Sequence, residues 1–177
     1  KITKIEGEIE FQDVYFSYDS EREEVLKGIN LKISPKEKIL ITGPNGSGKT
    51  TLIKLLLGLY RTKRGKILID GKDINELSLS SLRERVSIVS QNTFLFNDTV
   101  RNNILYSRPD ASEEELMEAV KLSGAYEFIK NLDKGFDTII GERGVRLSGG
   151  ERQKLSIARA ILKDSDIIVF DLSLIHI

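Results

Sequence analysis

The chain has 177 residues, enough for one domain with a substantial core and too few for two of ordinary size. At 40% hydrophobic and 31% charged residues it is neither a disordered tail nor a lipid-embedded chain, and 27 basic against 27 acidic side chains give a formal net charge of +0, which removes the bulk electrostatic case for a nucleic-acid partner. The lack of cysteine excludes disulfides, thiolate zinc sites and cysteine nucleophiles and permits a reducing cytosol; the longest apolar stretches, 52–60 and 167–170, fall far short of the roughly 18 residues a membrane span needs.

In chain order, residues 8–18 and 29–33 alternate apolar and polar positions, which predicts strands with one buried face and hence an antiparallel β layer. Lys38-Ile39-Leu40-Ile41-Thr42 is a compact apolar run that predicts a buried strand; it enters a glycine-rich turn and leaves as a helix over 49–57. Residues 66–71 predict a strand closing on a turn, 79–84 a short helix and 86–89 a buried strand, so α/β alternation sets in. Ser112-Glu113-Glu114-Glu115 fits a capping box, with Leu116, Ala119 and Val120 following at helical spacing and Gly124 ending the helix. A short helix over 126–131 leads through Gly135 to the loop Gly141-Glu142-Arg143-Gly144. A helix over 149–163, with Leu155, Ala158 and Ile161 or Leu162 on one side, precedes a strand that ends at Asp171.

Gly43-Pro44-Asn45-Gly46-Ser47-Gly48-Lys49-Thr50 satisfies the pattern GxxxxGK[ST] and lies where a phosphate cradle must lie, between a predicted strand and a helix N-terminus. Backbone N–H groups of such a loop converge on phosphate oxygens, and the helix dipole adds partial positive charge at the same point. Lys49 supplies the full charge toward the β and γ phosphates, the Thr50 hydroxyl ligates magnesium, and Thr51 adds a further phosphate contact. An acid at the end of a second buried strand completes such a metal site, and Asp171 fits that place. The cradle therefore points to a nucleoside triphosphate with Mg²⁺.

The cradle alone does not choose among kinases, GTPases, helicases and transport motors. Leu147-Ser148-Gly149-Gly150-Glu151-Arg152-Gln153, just before a helix, resembles the signature sequence of the ATP-binding cassette (ABC) superfamily. A serine and two glycines at a helix N-terminus make a second anion site, and two phosphate-binding surfaces on one chain suit a head-to-tail pair with ATP held between copies. The resemblance covers residues 8–171. It implies a P-loop ABC-type ATPase fold with an antiparallel β layer, a mixed or parallel core sheet and a helical subdomain over about 92–163. It also implies that Tyr18 stacks on adenine and that Gln91 touches magnesium and the attacking water.

Thr93-Phe94-Leu95-Phe96-Asn97-Asp98-Thr99-Val100, Asn103-Ile104 and the run from Asp137 to Gly144 look like exporter-type cassettes, including bacterial lipid and multidrug exporters. The partners so implied are a second ABC ATPase domain and the transmembrane domain of an exporter, with no nucleic acid, and the place implied is the cytoplasmic face of a membrane. Phe94 and Phe96 stand beside polar residues, either as a patch that a partner covers or as local core. A soluble ABC ATPase, and an inactive module that dimerises on ATP, are the alternatives; the coiled-coil or zinc insertions usual in the former are not seen.

The sequence departs from the family pattern at its end. Leu172 follows Asp171 where hydrolysing members carry a water-polarising glutamate, and His176 stands too close to be the switch histidine. The segment Leu172-Ser173-Leu174-Ile175-His176-Ile177 equals the translation of a sequencing adaptor, so residues 172–177 are expected to be a non-native tail on a partial domain over 1–171. The start at Lys1 likewise reads as an interior cut. Poor hydrolysis is expected of this chain, because a general base is typically worth 10²–10⁴-fold, and weak nucleotide binding, because strands missing beside the one that ends at Asp171 would leave apolar surface uncovered.

Overall fold

The computed structural model describes residues 5–19, 23–90 and 94–171. Gln91, the tail 172–177 and Lys1 lie outside the described residues. The chain divides into two compact units, residues 1–86 and 87–177, and each is described by itself.

The first unit is built on a four-stranded sheet in the order β2-β1-β3-β4, with β1 (Ile9–Phe16), β2 (Leu26–Ile33), β3 (Arg64–Ile69) and β4 (Lys72–Asp73) paired antiparallel throughout. Strict alternation would put Ile9, Phe11, Asp13 and Tyr15 on one face. Instead Ile9, Phe11, Val14 and Phe16 are the buried residues. A bulge between Phe11 and Val14, with Asp13 at φ 48°, inserts one residue and returns the apolar set to the core. Gly65 lies against this bulge: a Cβ there would stand 2.2 Å from the Asp13 carbonyl oxygen, so no larger residue fits. Strands β3 and β4 are joined by Asp70-Gly71, both at positive φ (50° and 74°), the dihedral signs of a two-residue type I′ hairpin. The Asp70 carboxylate also accepts from the amides of Glu6, Gly7 and Glu8 at 2.8, 3.0 and 2.9 Å, which anchors the segment leading into β1.

The expected antiparallel layer is present, and helix α1 (Lys49–Leu56) follows the glycine-rich turn. The expected strand over 38–42 is not: the segment has no strand partner among the described residues, and Ile39, Leu40 and Ile41 are exposed. An apolar run becomes a core strand only when strands flank it, and β2, β1, β3 and β4 form a sheet of their own. Helix α2 (Leu79–Arg85) closes the unit and ends at Val86, the first residue of β5 (Val86–Ser90).

The second unit is mainly helical. Helices α3 (Val100–Leu105), α4 (Glu113–Leu122), α5 (Tyr126–Lys130) and α6 (Gly149–Leu162) enclose a core that includes Leu95, Ile104, Leu116, Ile129, Ile140 and Leu155. Helix α4 opens on the expected capping box of Ser112 and Glu115, and Gly124 (φ 69°) follows its end in the left-handed conformation. Strand β6 (Ile167–Asp171) pairs with β5. Among the described residues no helix is long and apolar enough to cross a membrane.

Buried Asn103 organises the start of the helical unit. It accepts from the Phe96 amide and donates to the Phe96 and Thr99 carbonyls. Arg159 of α6 reaches the same place: Nε donates to the Asn103 carbonyl and NH1 to the Phe94 carbonyl. Burial pushes this guanidinium below its ordinary value. Leu95 is buried, whereas Phe94 is exposed and Phe96 half-buried; Phe96 packs edge-on against Phe94 and tilted against Tyr106, which is itself exposed. The local-core alternative therefore fails for Phe94.

Candidate functional site

The loop from Gly43 to Gly48 is exposed up to Ser47 and leads directly into α1. A turn from the Ser47 amide to the Pro44 carbonyl (3.2 Å) folds it back. The Lys49 ammonium closes the same turn, donating to the carbonyls of Gly43 at 2.7 Å and Pro44 at 2.8 Å, with Ser47 Oγ at 3.4 Å. A single ammonium thus holds the loop in an arc around itself. Gly48 (φ 92°) caps α1 with no side-chain hydrogen bond. A Cβ at Gly48 would come within 2.7 Å of Leu26 Cδ2, so the loop is seated against β2 at that point.

The two helices that carry capping boxes differ from α1 in this respect. At α6 Ser148 Oγ accepts from the Glu151 amide (3.3 Å), and the Glu151 carboxylate accepts from the Ser148 amide (2.7 Å). Glu151 places a negative charge at the α6 N-terminus, whereas the first turn of α1 holds no acidic residue. Of the two helix starts, α1 is the one whose dipole and neighbours both favour a highly charged anion. The Ser148 hydroxyl still has its own proton to donate, and Gly149 and Gly150 are exposed beside it. Buried Leu147 anchors this turn, and its carbonyl accepts from Arg152 at 2.6 Å.

Tyr18 lies beside α1. Its hydroxyl is 3.0 Å from Thr51 Oγ1, and its ring meets Phe16 and Tyr60 edge-on at 5.0 and 5.2 Å. Thr51 is buried and bonded to Tyr18; sequence reasoning had given its hydroxyl to phosphate. Sequence reasoning also missed Tyr60, Phe16 and Lys54 around the Tyr18 ring. The available signal was the three-residue spacing of Thr51 and Lys54, which puts both on one face of α1.

Thr50 is exposed in the first turn of α1, and Asp171 ends β6 half-buried, in the other unit together with Ser148. A hydroxyl and a carboxylate are hard oxygen donors of the kind magnesium takes beside phosphate oxygens. Among the described residues there is no group of three or more acidic, histidine or cysteine side chains that could hold a metal ion.

A family model described as ABC transporter matches residues 26–172. The chain is 48% identical over 171 residues to an ATP-dependent lipid A-core flippase of Syntrophus aciditrophicus, covering 97% of this chain and 28% of that protein. It is 46% identical to the flippase of the same description from Escherichia coli, with 96% and 29% covered. Among solved structures, a bacterial Atm1-family ABC exporter with ATP bound superposes with a TM-score of 0.90 at 40% identity, over 96% of this chain and 29% of that one. The chain therefore spans under a third of the length of these relatives. With the family model and relatives of this identity in agreement over nearly its whole length, the chain belongs to the ABC transporter family, as an ATP-binding domain of the exporter type.

Proposed function

We propose that this chain is the ATP-binding part of an exporter motor, in which Mg-ATP binds at the loop 43–50 and its hydrolysis, in the whole protein, drives movement of a substrate across a membrane. The observation that carries the reading is the Lys49 ammonium, held among the Gly43 and Pro44 carbonyls at the foot of a helix without a side-chain cap. A triphosphate entering the arc would exchange these neutral carbonyl acceptors for anionic oxygens, a stronger charge-assisted bond, while the loop amides and the α1 dipole take up the remaining charge.

Tyr18, exposed at one side of α1, supports the base, and Thr50 and Asp171 would hold magnesium, which neutralises charge on the β and γ phosphates when bound. Gln91 would orient the attacking water. The residues 147–151 would meet the nucleotide of a second, head-to-tail domain, with the Ser148 proton and the exposed Gly149-Gly150 turn facing its γ phosphate. Closure on ATP and reopening after hydrolysis would then move an attached transmembrane domain, a rigid-body switch biased by ligand. Phe94, Phe96 and Tyr106 offer an apolar surface for that domain. The relatives' names mention different families of exporter, and the cargo belongs to the membrane part.

Lys49→Ala tests the reading. Loss of one charge-assisted contact to phosphate predicts roughly a 10- to 100-fold fall in Mg-ATP affinity by calorimetry; undiminished affinity would remove the basis for a motor.

A further inference from the structure

The Tyr18 ring is gripped from several directions, and one of them carries charge. Lys54 Nζ lies over the ring, 5.4 Å from its centroid. Lys54 is one turn along α1 from Thr51, whose hydroxyl meets the Tyr18 hydroxyl. The helix that starts at the phosphate loop therefore holds both the polar tip and a face of the ring. Tyr60 and Phe16, themselves 5.6 Å apart, meet the Tyr18 ring nearly at right angles. Tyr18 nevertheless remains 45% exposed, which leaves room for a planar ligand.

We propose that Lys54 is a specificity-determining residue of the nucleotide site, acting through Tyr18 on the choice of base. This rests on the reading that Tyr18 carries the base. A cation on one face of an aromatic ring draws π density toward itself, which leaves the opposite face less negative. An electron-rich purine stacks on such a face with less repulsion than on an unpolarised phenol ring, whereas an electron-poor pyrimidine gains little. The ammonium also fixes the tilt of the ring, so less freedom is lost when the base docks. Lys49, at the loop, serves the phosphates; Lys54, more than a turn further along α1, serves the base.

The experiment is calorimetric titration of the full chain with Mg-ATP, Mg-UTP and magnesium tripolyphosphate. The variants are Lys54→Met, Lys54→Arg and Tyr18→Ala. Lys54→Met keeps most of the unbranched stem of the half-buried side chain and removes its ammonium. It is expected to weaken ATP by about two- to five-fold, the range for an exposed cation–π contact, to narrow the ATP-to-UTP ratio and to leave tripolyphosphate unchanged; Lys54→Arg is expected to retain wild-type selectivity. Equal losses for ATP and tripolyphosphate would make Lys54 a general phosphate attractor and overturn the proposal, as would no loss at all. Tyr18→Ala separates the two levels. If it weakens ATP but not tripolyphosphate while Lys54→Met is neutral, Lys54 alone is dismissed. If it weakens neither, the base-stacking reading fails and takes this one with it.

Discussion

Arg159 Nε donates to the Asn103 carbonyl at 2.9 Å, joining α6, which begins at the serine-glycine turn, to α3. Ser107 returns the tie by donating its hydroxyl to the Arg159 carbonyl at 2.9 Å. The segment bearing Phe94 is held by the same guanidinium, so one half-buried cation links the serine-glycine helix to the exposed aromatic patch.

Arg159→Leu should destabilise the chain by about 1–3 kcal/mol, because it strands the carbonyl of buried Asn103 and removes hydrogen bonds to a charged donor. Arg159→Lys should recover only part of this, since a point charge cannot reach the forked set of acceptors. Urea unfolding followed by circular dichroism measures both, and a change below about 0.5 kcal/mol in Arg159→Leu would show that the network carries no stability.

Gly48→Ala should lower stability by about 1–2 kcal/mol, combining a φ of 92° with a contact on Leu26. Gly46→Ala shares the backbone penalty (φ 83°) but meets open space, so its melting temperature should fall less. Equal melting temperatures for the two variants would mean that the loop is not seated on β2 through Gly48.

The Asp70 carboxylate uses Oδ1 for the Gly7 and Glu8 amides and Oδ2 for the Glu6 amide. In Asp70→Asn the remaining carbonyl oxygen can serve two of them. Hydrogen exchange should therefore quicken at Glu6 and stay slow at Gly7 and Glu8, whereas Asp70→Ala should expose all three and cost about 1–3 kcal/mol. Unaltered exchange at Glu6 in Asp70→Asn would contradict the anchoring.

Glu115 sets a pH dependence. The Ser112 amide first, and the Arg108 guanidinium second, hold its carboxylate below the ordinary value of 4.5. A depressed folded-state pKa means that the contribution is complete above 4.5 and is lost as pH falls through the lowered value. The midpoint of the Glu115 side chain by NMR should lie below 4.5 and move up in Arg108→Gln; a midpoint at or above 4.5 in the parent chain would refute the capping contribution.

Local signals in the sequence carried far where chemistry is local. The Ser112 box, the helix after Gly48 and the strand ending at Asp171 are all set by residues within a few positions of one another, and each is found. The turn at Ser148 was legible for its glycines, although its capping box with Glu151 was not foreseen. The segment 38–42 shows the limit: its apolar pattern names a strand, but a strand also needs neighbours, and pattern alone does not supply them. The setting of Tyr18 was illegible for a related reason. Phe16, Tyr60 and Lys54 converge on it from a strand, a loop and a helix, and only the fold of the first unit brings those together. Helix α3 was passed over because six residues from Val100 to Leu105 give too little periodicity to stand out from the aromatic run before them.

The Asp70-Gly71 hairpin has a consequence for the ageing of the protein. After asparagine-glycine, an aspartate before glycine is the dipeptide most prone to cyclise to a succinimide and reopen as isoaspartate, since the unhindered glycine nitrogen attacks the neighbouring side-chain carbon. Here that side chain is tethered by the amides of Glu6, Gly7 and Glu8, which restrains its rotation toward the Gly71 nitrogen. Chemical wear at this dipeptide should thus report unfolding of the leading segment, and the intact turn should keep its covalent identity through long storage.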